Sequence, residues 1–181
     1  MFHDPVLLDE SISGLRINPK GIYVDVTFGG GGHARQIIEK ITSGKLIAFD
    51  QDKEAVKNQI CNDNRFIMIN KNFRFLKEQL SLLGIFSIDG LIADLGVSGY
   101  QFSNNNRGFS IKYNSVIDMR MDTELVKDGL FVINNYDRNN LIRIFRDHAD
   151  FKNPSSIVDS IVLSRSKKII QTTFDLKQVF I

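Results

Sequence analysis

The chain has 181 residues, 43% of them hydrophobic and 24% charged, ordinary proportions for one globular domain or one domain with a sizeable insertion. A formal charge of +2 does not by itself announce a nucleic-acid protein, and the single cysteine, Cys61, excludes an internal disulfide and points to a reducing compartment. No apolar run approaches the roughly 20 residues of a membrane span, and the acidic opening M-F-H-D-P-V-L-L-D-E is unlike a signal peptide, so a soluble cytoplasmic protein is expected.

The first half alternates. Ile22–Val26 reads as a strand, His33–Thr42 as a helix stopped near Ser43-Gly44, Leu46–Phe49 as a strand, and Asp52–Ile60 as a helix with acids in its first turn. Phe66–Ile69 is strand-like, Asn72–Leu83 carries a helical apolar stripe closed by Gly84, and Ile88–Leu95 is a fourth strand. Nearly continuous apolar strands between helices predict a parallel α/β sheet covered on both faces. From Gly96 to Met121 no period is clear, and a long ordered loop is expected. Helical periodicity returns at Thr123–Ile133, Arg138–Asp147, Ser155–Arg165 and Phe174–Ile181, with no further strand.

Gly29 to Gly32 follow the first strand and open the first helix of that alternation. Glycine loses the most backbone freedom on folding, so four in a row imply a need for bare main chain. In open parallel sheets, ligands bind beyond the carboxyl ends of the strands. Gly29-x-Gly31-x-x-Ala34 fits a dinucleotide turn, and Asp50, about 20 positions on, fits the acid that holds a ribose. S-adenosylmethionine uses the same geometry, with backbone groups on its amino-acid part and the second-strand acid on both ribose hydroxyls. The remaining alternative at this level is a tight turn with no ligand.

The segments around the turn decide between the ligands. H-D-P-V-L-L-D-E (3–10), P-K-G-I-Y-V-D-V-T-F-G-G-G-G-H (19–33), F-D-Q-D (49–52), N-F (72–73), D-G-L-I-A-D-L-G-V-S-G-Y-Q (89–101), N-R-G-F-S (106–110) and D-M-R-M-D (118–122) occur in order. Together they resemble the bacterial 16S ribosomal RNA cytosine-N4 methyltransferase family, the MraW or RsmH type, over essentially the whole chain. The resemblance implies a Rossmann-like S-adenosylmethionine-dependent methyltransferase sheet with strand order 3-2-1-4-5-7-6, of which strands one to four lie in this chain, and a helical insertion domain. It implies residues 1–100 as the N-terminal half of the donor-binding domain and 101–181 as active-site loop and substrate-recognition insertion. The donor would be held by Gly31, Gly32, His33, Asp50, Phe73, Asp94 and Gln101. The substrate would be a cytidine of 16S ribosomal RNA in the small subunit.

Methyl transfer from a sulfonium is an in-line displacement, so the protein mainly positions the amine and supports the changing charge. Asp94 and Asp118 are the candidates to accept from the amine N–H, in that order. The base must leave its stack. Arg107 and Arg120 are candidates for RNA phosphates and Phe102 or Phe109 for base stacking, with Arg165 and Lys167-Lys168 extending a basic face. Taken alone, the residues leave Phe73 open as core, His33 as a plain helix N-terminal residue, Asp50 as a loop carboxylate and D-M-R-M-D as a salt-bridge cluster. His3 and His148 have no evident role, and no metal-ligand spacing appears.

The chain departs from the family pattern in two places. It reads G-V-S-G-Y-Q where the family usually has G-V-S-S-P-Q, and it stops at Ile181 before a family segment like S-F-H-S-L-E-D-R. The expectation is a C-terminally truncated enzyme whose fourth strand is an exposed edge, prone to self-association. An inactive remnant that binds the donor without turnover is one alternative function, and an NAD-dependent dehydrogenase a remote one.

Overall fold

Among residues 5–180, which the computed structural model describes, one sheet of parallel strands forms, in the order β3-β2-β1-β4. The strands are β1 (Ile22–Asp25), β2 (Lys45–Phe49), β3 (Phe66–Ile69) and β4 (Gly90–Ile92). Val24 is opposite Ile47 on one side and Leu91 on the other, and Ile47 is opposite Ile67. The strand period of two sends Tyr23, Leu46 and Ala48 to one face, where they pack with Ile37, Ile38 and Ile41 of the first crossover. Val24, Ile47 and Phe49 go to the other face, against Leu80 and Ile85. Both faces are therefore filled, which is why these strands lack polar alternation.

The helices of this unit are α1 (Leu8–Gly14), α2 (Gly32–Lys40), α3 (Lys53–Val56) and α4 (Leu76–Leu82), the last preceded by a 3₁₀ turn, Phe73–Phe75. α3 is shorter than the expected Asp52–Ile60. Past Val56 the backbone tightens to bonds three residues apart, Asn58 to Ala55 and Gln59 to Val56, and the Asn58 amide donates to the Gly29 carbonyl instead. α1 was not expected from the sequence, since it is short and buries only Ile12. β4 is shorter than Ile88–Leu95 because its ladder has only β1 as a partner, from the Asp89 N–H on Ile22 to the Val26 N–H on Ile92.

The chain divides into two units: residues through Ser98 with Met121–Thr123, and Gly99–Arg120 with Glu124 onward. The second holds α5 (Gly99–Ser103), α6 (Gly129–Asn135), α7 (Arg138–His148), α8 (Ser155–Lys167) and α9 (Thr173–Gln178). Its core is Ile117, Ile133, Leu141, Val158, Ile161 and Ile170. Expected helix Thr123–Ile133 begins only at Gly129, because the Asp128 carboxylate caps it by accepting from the Phe131 N–H. Gly99-Tyr100, where the chain departs from the Ser-Pro of the family pattern, open α5. Beyond Ile92 the described residues hold no strand, only a bridge between Val116 and Thr172.

Candidate active site

β1 ends at Asp25, and the chain then turns sharply into α2. Gly29 and Gly31 adopt φ of 52° and 78°, the left-handed region where a Cβ is strained. At Gly31 a Cβ would also lie 2.7 Å from the Phe28 ring. The turn is closed by the Gly31 N–H on the Phe28 carbonyl, 2.7 Å. No side chain caps α2, so its N-terminal end is backbone alone.

Asp50 directly follows β2, beside this turn. Its Oδ2 accepts from the Gly29 N–H at 2.8 Å and its Oδ1 from the Asp52 N–H at 2.9 Å. Burial raises its pKa, opposed by these backbone donors. A carboxylate offers about four lone-pair sites, more than these backbone donors fill, so the group remains able to accept hydroxyls. Asp94 follows β4 and is exposed, its N–H on the Thr27 hydroxyl at 2.7 Å. Thr27 in turn donates its N–H to Asp25 Oδ1 at 3.0 Å.

Asp25 is the residue that sequence reasoning passed over. It is 2% exposed, and burial pushes its pKa up to about 7, with the Asp50 and Asp94 charges adding to the rise and Thr27 opposing it. The available signal was a carboxylate between two apolar residues, Val24 and Val26. Three carboxylates thus stand at or just past the carboxyl ends of three adjacent strands, β2, β1 and β4. None of them forms an ion pair among the described residues, whose acidic clusters also lack metal-ligand geometry.

His33, in the first turn of α2, is buried, and its Nε2 donates to the Val6 carbonyl at 3.2 Å. Phe73 is 42% exposed and so is not core. It follows Asn72, whose amide donates to Gln51 Oε1 at 2.7 Å, while Gln51 Nε2 lies 3.5 Å from Met121 Sδ. Gln51 and Met121 were likewise not singled out from the sequence.

The other candidates belong to the second unit. Gln101 is buried in α5 and Phe102 half exposed. Arg107 is 7% exposed, donates to the Arg120 carbonyl at 2.7 Å, and lies over the Phe109 ring, 5.8 Å from its centroid. Arg120 grips Asp118 with two bonds, 2.8 and 2.7 Å, and donates to the Leu125 carbonyl at 2.7 Å. That guanidinium holds the Asp118 pKa below the usual carboxylate range. D-M-R-M-D thus forms an ion pair that locks its own loop. Arg165 is turned inward, donating at 2.7 Å to the Ile133 and Tyr136 carbonyls at the end of α6. Lys167 and Lys168 are exposed, His148 stands in the last turn of α7, and His3 lies outside the described residues.

Comparison with known proteins decides whose turn this is. The family profile described as the MraW methylase family matches residues 1–181. The chain belongs to the MraW methylase family. It is 46% identical over 179 residues to the "Ribosomal RNA small subunit methyltransferase H" of Flavobacterium johnsoniae, covering 98% of this chain and 59% of that protein. Proteins of the same name from Cytophaga hutchinsonii and Karelsulcia muelleri are 45% and 43% identical, covering 99% and 98% of this chain and 60% of each relative. The chain therefore spans about 60% of the length of the curated relatives it matches. As a MraW methylase-family member with a parallel α/β sheet, it gives the dehydrogenase alternative no support.

Proposed function

We propose that this chain binds S-adenosylmethionine and takes part in N4-methylation of a cytidine in 16S ribosomal RNA of the small subunit, in the cytoplasm. The observation that carries the reading is the bare main-chain turn joined to Asp50 through the Gly29 N–H, in a chain of a methylase family. The fit has a second support in the charge pattern. Asp25, Asp50 and Asp94 form no ion pair among the described residues, and the donor carries a sulfonium and an ammonium. When bound, it would supply an electrophilic methyl group.

In this reading Gly31 and Gly32 let the methionine part approach, His33 fixes the chain segment at Val6, Asp50 accepts from the ribose hydroxyls, and Phe73 packs on the adenine. Gln101 completes the donor contacts. Asp94 would accept a hydrogen bond from the amine N–H and so orient the amine toward the donor. Its claim is stronger than that of Asp118, whose two oxygens are already bound by Arg120. Arg107 and Arg120 hold the substrate loop in shape and Phe109 offers the base a face. The β4 edge, where Leu91 is 42% and Leu95 70% exposed, is a candidate surface for self-association.

Thermal melts with S-adenosylmethionine against NAD test the donor, since a bound ligand stabilises by mass action. A rise in Tm with the first alone is expected; none, or one with NAD alone, refutes the reading. Incubation of small-subunit particles lacking the mark with labelled donor then separates turnover from binding without turnover.

A further inference from the structure

We propose that Met119 is the wedge of this protein, an apolar side chain that fills the stacking position vacated when the target base turns out of its RNA strand. The inference rests on the RNA reading above and adds to it a residue and a role.

Met119 has φ of 59°, a left-handed conformation that an unbranched apolar side chain rarely accepts. The other left-handed residues with side chains differ in setting. Leu7 and Arg16 stand at the two ends of α1, while Asn62 and Asp150 are types that tolerate the region. Met119 is in neither class.

A glycine in the same loop shows what the backbone alone requires. Gly108 has φ of 71° and is buried, and a Cβ on it would lie 2.5 Å from the Val116 carbonyl oxygen and 2.7 Å from the Asp118 nitrogen. Glycine is obligatory there. Met119 faces it across the loop, its N–H donating to the Arg107 carbonyl at 2.8 Å, and its equally left-handed backbone would also be cheapest as glycine. Yet the position carries a four-atom side chain that is 50% exposed. Packing does not explain it, because Ile117, two residues earlier, is the one that enters the core at 1% exposure.

The strain is held in place from both sides. Asp118 is gripped by Arg120, Arg120 by the Leu125 carbonyl, and the Arg120 carbonyl by Arg107. Strain maintained by surrounding bonds at an exposed side chain is the pattern of a presented functional group. The chemistry suits a base step. Thioethers are polarisable and pack well on aromatic rings, and apolar wedges enter opened nucleic-acid stacks. Extruding a base leaves such an opening. Phe109, under the Arg107 guanidinium, supplies an aromatic surface in the same loop system.

The test uses the 181-residue chain, its variants M119G and M119L, and a short RNA hairpin whose loop holds one cytidine preceded by 2-aminopurine, a base that brightens when unstacked. The parent is expected to bind and raise the fluorescence. M119G is expected to bind roughly tenfold more weakly and lose most of the rise, while melting at the same or a higher temperature, and M119L is expected to keep both signals. Unchanged binding and fluorescence in M119G would overturn the wedge and leave the RNA reading standing. A clearly lower melting temperature in M119G would overturn it by assigning the side chain to packing. A parent that does not bind the hairpin would refute the RNA reading, and the wedge with it.

Discussion

Asp25 sits at the end of β1 with 2% of its surface exposed and no ion pair among the described residues, and its pKa stands at about 7 against an ordinary 3.8. The sign of its effect follows from proton counts. Between about pH 4 and 7 the folded state keeps the proton that the unfolded state has lost. This site's contribution to stability is therefore fully present below about 4 and is lost progressively as the pH rises to about 7. Asp50, also raised by burial, acts in the same sense, whereas Asp118, lowered by Arg120, acts oppositely and only below the ordinary carboxylate pKa. We expect D25N to flatten the dependence of Tm on pH between 5 and 8 and to raise Tm at pH 8; an unchanged slope refutes this assignment. For the proposed donor, affinity should rise with pH across the same range in the parent and less so in D25N, by calorimetry. D50N removes a charged acceptor beside the Gly29 N–H, and a loss of donor affinity of roughly 10- to 100-fold is expected, since hydrogen bonds to charged groups contribute about 1.5–3 kcal/mol. Retention of full affinity would remove Asp50 from the site.

At the scale of the element, the second unit is built by capping as much as by periodicity. Asp128, Asp137 and Thr172 each accept from a backbone N–H at the start of α6, α7 and α9. Asp137 is exposed, so its substitution leaves the core intact and isolates the cap. D137A should cost about 1 kcal/mol in urea unfolding, and a neutral result would mean that water replaces the carboxylate. The far end of α6 is closed differently, by Arg165 of α8 on the Ile133 and Tyr136 carbonyls. Arg165 is a part of the fold that composition had placed on a basic face. By contrast, the exposed pair of Arg138 and Asp159 at 2.6 Å, with 47% and 57% of their side chains accessible, contributes little.

At the scale of the whole molecule, the sheet has a completed middle and an open side. β1 and β2 are paired on both edges and buried on both faces, while β4 pairs with β1 alone among the described residues. Phe86 and Leu95, which flank it along the chain, are 87% and 70% exposed. Apolar surface beside an unpaired strand edge favours association. Light scattering should show a mass that grows with protein concentration, reduced in L91K, which puts a charge on the edge. A cooperative monomer at all concentrations would contradict this.

Much of the first unit was legible in the sequence because its information is local. The apolar runs of β1 to β3, the turn from Gly29 to Gly32 and the offset to Asp50 are matters of residue type and spacing along the chain, and each governs backbone within a few residues of itself. The α3 and β4 limits were not legible, because the Asn58 bond to Gly29 and the lack of a second ladder on β4 depend on what lies across space. The same holds for the site. Asp94 reaches Thr27 from 67 residues away, and only that approach makes Asp25 one of three neighbouring carboxylates. The roles of Arg107, Arg120 and Arg165 were decided there too, since a long cationic side chain has many partners within reach and proximity in the fold selects the carbonyl it serves. Residue order determined which backbone would form; the packing of distant segments determined which polar groups would share one place.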